Sequence, residues 1–113
     1  MRDHVVGKNE DDFGRSMIGM GGIMAEALKD VSMRLAPIQA QDAEEMLREL
    51  NASVLFDGWR GSPPINRKAL IDAILAVSDL IAGDARIQEL DVNPLRATAQ
   101  GVLALDALIV KAD

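Results

Sequence analysis

An α+β fold, an antiparallel sheet with two helices on one face, is predicted by three features of the sequence. Two central segments carry apolar residues at helical spacing. Alternating or continuous apolar runs flank them on both sides. Gly, Pro and Asn punctuate each change of period. The resulting order, β-β-α-α-β-β over 113 residues, fits one small domain spanning 1–113.

Residues 1–14 are polar, with an acidic cluster at Glu10, Asp11 and Asp12, and only Val5-Val6 suggests a short strand. Residues 15–38 carry two signals. Met24 to Lys29 have helix propensity, yet Gly19, Gly21 and Gly22 precede them and Pro37 follows. Val31, Met33 and Leu35 alternate with Ser32, Arg34 and Ala36, which favours strand, turn and strand. Over 41–51, Ala43, Met46, Leu47 and Leu50 fall on one face of an amphipathic helix that Asn51 can end.

A Gly- and Pro-dense loop covers 57–64 and contains the single Trp, Trp59, beside Arg60. Asn66 then caps a helix reaching about Ala82, with Leu70, Ile74, Val77 and Ile81 in one stripe. Ile71, Leu75 and Leu80 widen that stripe, and Gly83 stops the helix. Two strands, 86–95 and 102–110, flank Thr98-Ala99-Gln100-Gly101 and form a hairpin.

Apolar residues make up 49% of the chain but aromatics only 3%, so the core is aliphatic with Met as filler. A net charge of −6 argues against nucleic acid or an anionic membrane as partner. It leaves room for a nucleotide whose bound cation offsets the carboxylates. Without Cys there is no disulfide, thiolate metal site or Cys nucleophile. There is no apolar signal region, and no apolar run approaches the roughly 18 residues of a membrane span, so a cytoplasmic setting is expected.

The chemistry concentrates in Glu89-Leu90-Asp91-Val92-Asn93-Pro94. Alternation along a strand sends Leu90 and Val92 to the core and groups Glu89, Asp91 and Asn93 on the other face. Three oxygen-bearing groups together suit a hard cation. Asp106 is the one charge in an apolar run from Val102 to Val110, and a carboxylate buried there needs a cation, a donor or a proton. With the hairpin turn centred between Ala99 and Gln100, in a two- or four-residue loop, Asn93 opposes Asp106. Opposed Cβ atoms lie about 4.5–5.5 Å apart, close enough to share an ion. A slip of one residue would move Asp106 to the other face. A solvated strand face, with Asp106 paired to Lys or Arg, accounts for the same pattern.

Several segments together resemble one family. They are Phe13-Gly14, Gly19-Met20-Gly21-Gly22-Ile23, Glu26, Asp30, Arg34-Leu35-Ala36-Pro37, Gly58-Trp59-Arg60-Gly61 with Pro63-Pro64, Glu89 to Leu95, and Leu105-Asp106-Ala107. In this order and spacing they are similar to the C-terminal part of the ATP-grasp domain of NDP-forming acyl-CoA synthetases. That group includes the ADP-forming acetyl-CoA synthetases, relatives of the succinyl-CoA synthetase β subunit.

The resemblance implies an acid–CoA ligase that interconverts acyl-CoA, ADP and phosphate with acid, CoA and ATP. Asn93 and Asp106 match the positions that hold Mg²⁺ at the nucleotide phosphates, and Asp91 matches an acidic position at the phosphoryl-transfer site. Magnesium there neutralises and orients the phosphate oxygens. Gly21 and Gly22 match the family's glycine-rich segment and can bring backbone close to phosphate or to a partner strand, or simply make a tight turn, with Arg34 as a phosphate contact or, equally, one half of a surface ion pair. The family's other ATP-grasp lobe and its CoA-binding and ligase domains match nothing in this sequence and become expected partners. The only histidine, His4, matches no histidine of the family.

Two other readings stand beside this one. A degenerate ATP-grasp remnant would act as a non-catalytic interaction module, and its apolar content predicts a homo-oligomer. A generic acidic metal-binding domain would bind Mg²⁺ without regard to nucleotide.

Overall fold

The computed structural model describes residues 2–8, 16–22, 31–50 and 64–112. Strands β1 (Arg2–Lys8), β2 (Ser16–Gly22) and β3 (Val31–Ala36) precede helices α1 (Ala40–Glu49) and α2 (Arg67–Gly83). Strands β4 (Ile87–Thr98), β5 (Gly101–Ala104) and β6 (Ala107–Lys111) follow. The six strands form one sheet in the order β3-β2-β1-β4-β5, with β6 also paired to β4, and the pairings are antiparallel. The α+β class expected from the sequence is the one observed.

Local chemistry sets the helix starts. The Gln39 N–H donates to the Asp42 carboxylate at 2.9 Å at the head of α1. Asn66 Oδ1 accepts from the Ala69 N–H at 3.0 Å and caps α2. The Asn66 N–H also donates to the Thr98 carbonyl at 2.8 Å, which ties the head of α2 to the end of β4. The helix lies across β1 to β5, while α1 packs on β3 and α2.

Ala43, Met46, Leu47 and Leu50 meet Leu70, Ile71, Ile74, Ile38 and Leu95 in the main core. A second cluster joins Ile81, Ile87 and Leu90, with Val77 and Val92 packed against both clusters. Alternation shows which face of the sheet is covered. Ser32 is 4% exposed, but Met33 is 50% and Leu35 45% exposed on the same strand.

Val5-Val6 belong to a strand, as expected; it is seven residues long and lies between β2 and β4. Two expectations are corrected. Leu80 does not widen the buried stripe, being 46% exposed; the buried position beside it is Ser78. The run 102–110 is not one strand but two, β5 and β6, interrupted at Leu105-Asp106. The expected helix-forming signal at 24–29, the end signal at Asn51 and the loop around Trp59 and Arg60 lie outside the described residues.

Candidate metal and nucleotide site

The β4–β5 hairpin closes on a two-residue turn, Ala99-Gln100, with Thr98 opposite Gly101. Gly101 has φ +153°, a conformation that favours glycine. The Thr98 hydroxyl accepts from the Gln100 N–H at 3.2 Å. From this turn the register runs through Ala97↔Val102 and Arg96↔Leu103 to Leu95↔Ala104. It resumes without a slip at Val92↔Ala107 and continues through Asp91↔Leu108 to Glu89↔Val110. Asn93-Pro94 and Leu105-Asp106 are therefore the two residues of each strand that face one another in the intervening step. Asn93 takes the position opposite Asp106, as the turn-centred register requires.

The other side of β4 behaves differently. Asp3 pairs with Leu95 and Val5 with Val92, so Asn93 and Pro94 together stand against the single residue His4. This is a β-bulge. It changes which residues reach the helices: Leu90 (3% exposed) turns inward before the bulge, and Leu95 (4%) and Ala97 (1%) turn inward after it. Leu90 and Val92 face the core, as expected. Glu89 and Asp91 are half-buried.

Asp91 carries the most informative atom of the site. Its Oδ1 is buried and has no hydrogen-bond partner. An unpaired buried acceptor costs roughly 1–3 kcal/mol and calls for a cation or donor supplied from outside. Asp106 corrects the sequence reading: it is exposed, not buried in an apolar strand. Its Oδ1 accepts from the Ala107 N–H at 2.8 Å, so the carboxylate folds over the start of β6.

The remaining candidates divide. Gly21 pairs with His4, and Gly22 with Asp3. His4 in turn faces the Asn93-Pro94 bulge, so Gly21 lies in the cross-strand row of the bulge and Gly22 in the adjacent row of Asp3 and Leu95. Arg34 does not. It lies opposite Ile18, farther along β2. Its guanidinium donates to the Glu49 carboxylate and to the Met33 carbonyl (2.9 Å). It also lies 3.8 Å from Glu45. The hydrogen bond to Glu49 raises the Arg34 pKa and lowers that of Glu49. Ser32 donates to the same Glu49 oxygen at 3.2 Å, so the cluster ties β3 to α1.

Among the described residues, no group of three His, Cys, Asp or Glu side chains is gathered to hold a metal. Around the break in the ladder the sequence places three oxygen-bearing residue types, Asp91, Asn93 and Asp106. That chemistry suits Mg²⁺, which commonly takes one or two carboxylates and leaves other positions to water and phosphate.

A family model described as the ATP-grasp domain matches residues 2–110, and the chain belongs to that family. Among curated relatives it is 43% identical over 111 residues to the β subunit of acetate–CoA ligase [ADP-forming] I of Pyrococcus furiosus, covering 96% of this chain and 48% of that subunit. It is 39% identical to acetate–CoA ligase [ADP-forming] I of Archaeoglobus fulgidus, covering 96% of this chain and 16% of that one. The chain thus spans about half the length, or less, of these relatives.

A solved structure of the dinucleotide forming acetyl-coenzyme A synthetase 1 of Ca. Korarchaeum cryptofilum superposes with a TM-score of 0.88 at 34% identity. The match covers 98% of this chain and 53% of that one, which is in complex with coenzyme A and Mg-AMPPCP. The two helices and antiparallel sheet described above are accordingly part of an ATP-grasp fold.

Proposed function

We propose that this chain is the metal-facing wall of the nucleotide site of an ADP-forming acid–CoA ligase, an enzyme that couples acyl-CoA formation to conversion of ATP to ADP and phosphate. Residues 1–113 form one lobe of the ATP-grasp domain. The other lobe and the CoA-binding and ligase parts complete the enzyme. The observation that carries this reading is the unpartnered Asp91 Oδ1 beside the Asn93–Asp106 step.

Asn93 and Asp106 hold Mg²⁺, and Asp91 stands at the phosphoryl-transfer position. Gly21 and Gly22 bring backbone to the bulge row and the row beside it, where phosphate can approach N–H groups closely. Arg34 reaches a phosphate only by exchanging Glu49 and Glu45. Bound Mg²⁺ supplies charge neutralisation of the phosphate oxygens. The residues of this chain supply its oxygens and the orientation of those oxygens.

In the complete enzyme, Asn93→Ala and Asp106→Ala are expected to lose more than about 100-fold in activity, beyond the roughly 10–100-fold cost typical of outer-shell partners. Circular dichroism is expected to stay native. Full activity in either variant refutes the metal assignment.

A second reading, an oligomerising module, is favoured by one observation. β6 is exposed along its whole length and apolar up to Lys111, with Leu108 58% and Ile109 49% exposed.

A further inference from the structure

Three features coincide at one step of the sheet. Asn93-Pro94 bulges against His4 on the β1 side. On the other side the ladder is interrupted at Leu105-Asp106, with its register unchanged. The Ala107 N–H, first donor of β6, is taken by Asp106 Oδ1 at 2.8 Å.

The interruption has a chemical cause. Opposed residues in an antiparallel pair alternate between exchanging N–H···O=C bonds and not exchanging them. Counting from the pair that closes the two-residue hairpin, Thr98↔Gly101, the position of Pro94 against Leu105 is one where bonds would be exchanged. Proline has no N–H to give there.

We propose that Pro94 is a positioning residue. By withholding that donor it keeps the step open, so that Asn93 and Asp106 stay opposed without being drawn into the ladder and their oxygens can meet one cation. This rests on the metal reading above. It adds that the backbone break is a requirement for metal affinity. A continuous ladder would keep the two residues opposed but would cover the step with β-sheet hydrogen bonds and hold Asp106 in a regular strand, in place of a break where its carboxylate folds over the start of β6.

The test is Mn²⁺ binding to the complete enzyme in the presence of ADP, followed by water-proton relaxation. Pro94→Ala and Pro94→Gly both restore the N–H, and each is expected to weaken Mn²⁺ binding about ten-fold with an unchanged circular dichroism spectrum. Adding Leu105→Pro to either variant removes the facing donor, and binding is expected to recover at least in part. A folded Pro94 variant that binds Mn²⁺ like the parent overturns the inference, as does a loss that Leu105→Pro does not relieve. If either Pro94 substitution prevents folding, the other decides. Asn93→Ala and Asp106→Ala are the controls for the underlying reading. Unchanged Mn²⁺ binding in both removes the metal from this pair altogether, whereas their loss with unaffected Pro94 variants sinks only the positioning role.

Discussion

Ser78 sits in an apolar stripe and is fully buried, a placement that its polarity alone would not suggest. Its hydroxyl accepts from the Ile38 N–H at 2.9 Å, which satisfies a backbone donor just beyond β3. Ser78→Ala leaves that donor buried and unpaired, and chemical denaturation is expected to show a loss of about 1–3 kcal/mol; an unchanged midpoint and slope would remove the bond from the account. Helical periodicity could not reveal Ser78, because the group that makes it buriable lies forty positions away in the chain. Asp106 misled for the opposite reason. A charge amid apolar neighbours reads as buried only if the strand is covered, and cover is a property of the sheet.

At the scale of elements, patterns that close locally were legible. Asn66 marked the head of α2, and the turn at Ala99-Gln100 carried the register to Asn93 and Asp106. The bulge was not legible, because it exists only relative to β1, some ninety residues upstream. Nor was the ion-paired end of the sheet. Asp84 joins Arg86 (3.0 Å) and Lys111 (3.7 Å), linking the start of β4 to the end of β6. The Arg86 side-chain hydrogen bond, followed by a bond from the Arg86 N–H, lowers the Asp84 pKa to about 2.

With the folded pKa below the unfolded one, the unfolded chain binds more protons in this window, so stability rises with pH. The contribution is complete above the ordinary aspartate range, near 4, and is lost as pH falls towards 2. Asp84→Asn is therefore expected to flatten the pH dependence of thermal unfolding between about pH 4 and 2. An identical profile in parent and variant would show that the cluster adds nothing. Because Asp84, Arg86 and Lys111 lie near solvent, added salt is expected to shrink the same difference.

On the scale of the molecule, one edge of the sheet is formed by β5 and β6, with Leu103 60% and Leu108 58% exposed. An apolar edge strand with unpaired backbone groups is a template for association. Sedimentation of the 113-residue chain across a range of concentrations is expected to show self-association, which Leu108→Lys reduces. A monomer at every concentration would eliminate the oligomerising reading. The sequence carried the apolar content that raised this possibility, but not its location, since the same leucines would serve equally well in a covered strand.

The bulge also governs how the chain tolerates insertion and deletion. From Glu89 to Thr98, β4 keeps step with β5 and β6, yet it is one residue out of step with β1 beyond His4. Deleting a residue at 93 or 94 would bring β4 into phase with β1 while throwing the hairpin out of phase with β6. No single-residue length change satisfies both neighbours, so this stretch of the chain is expected to hold its length even where its side chains vary.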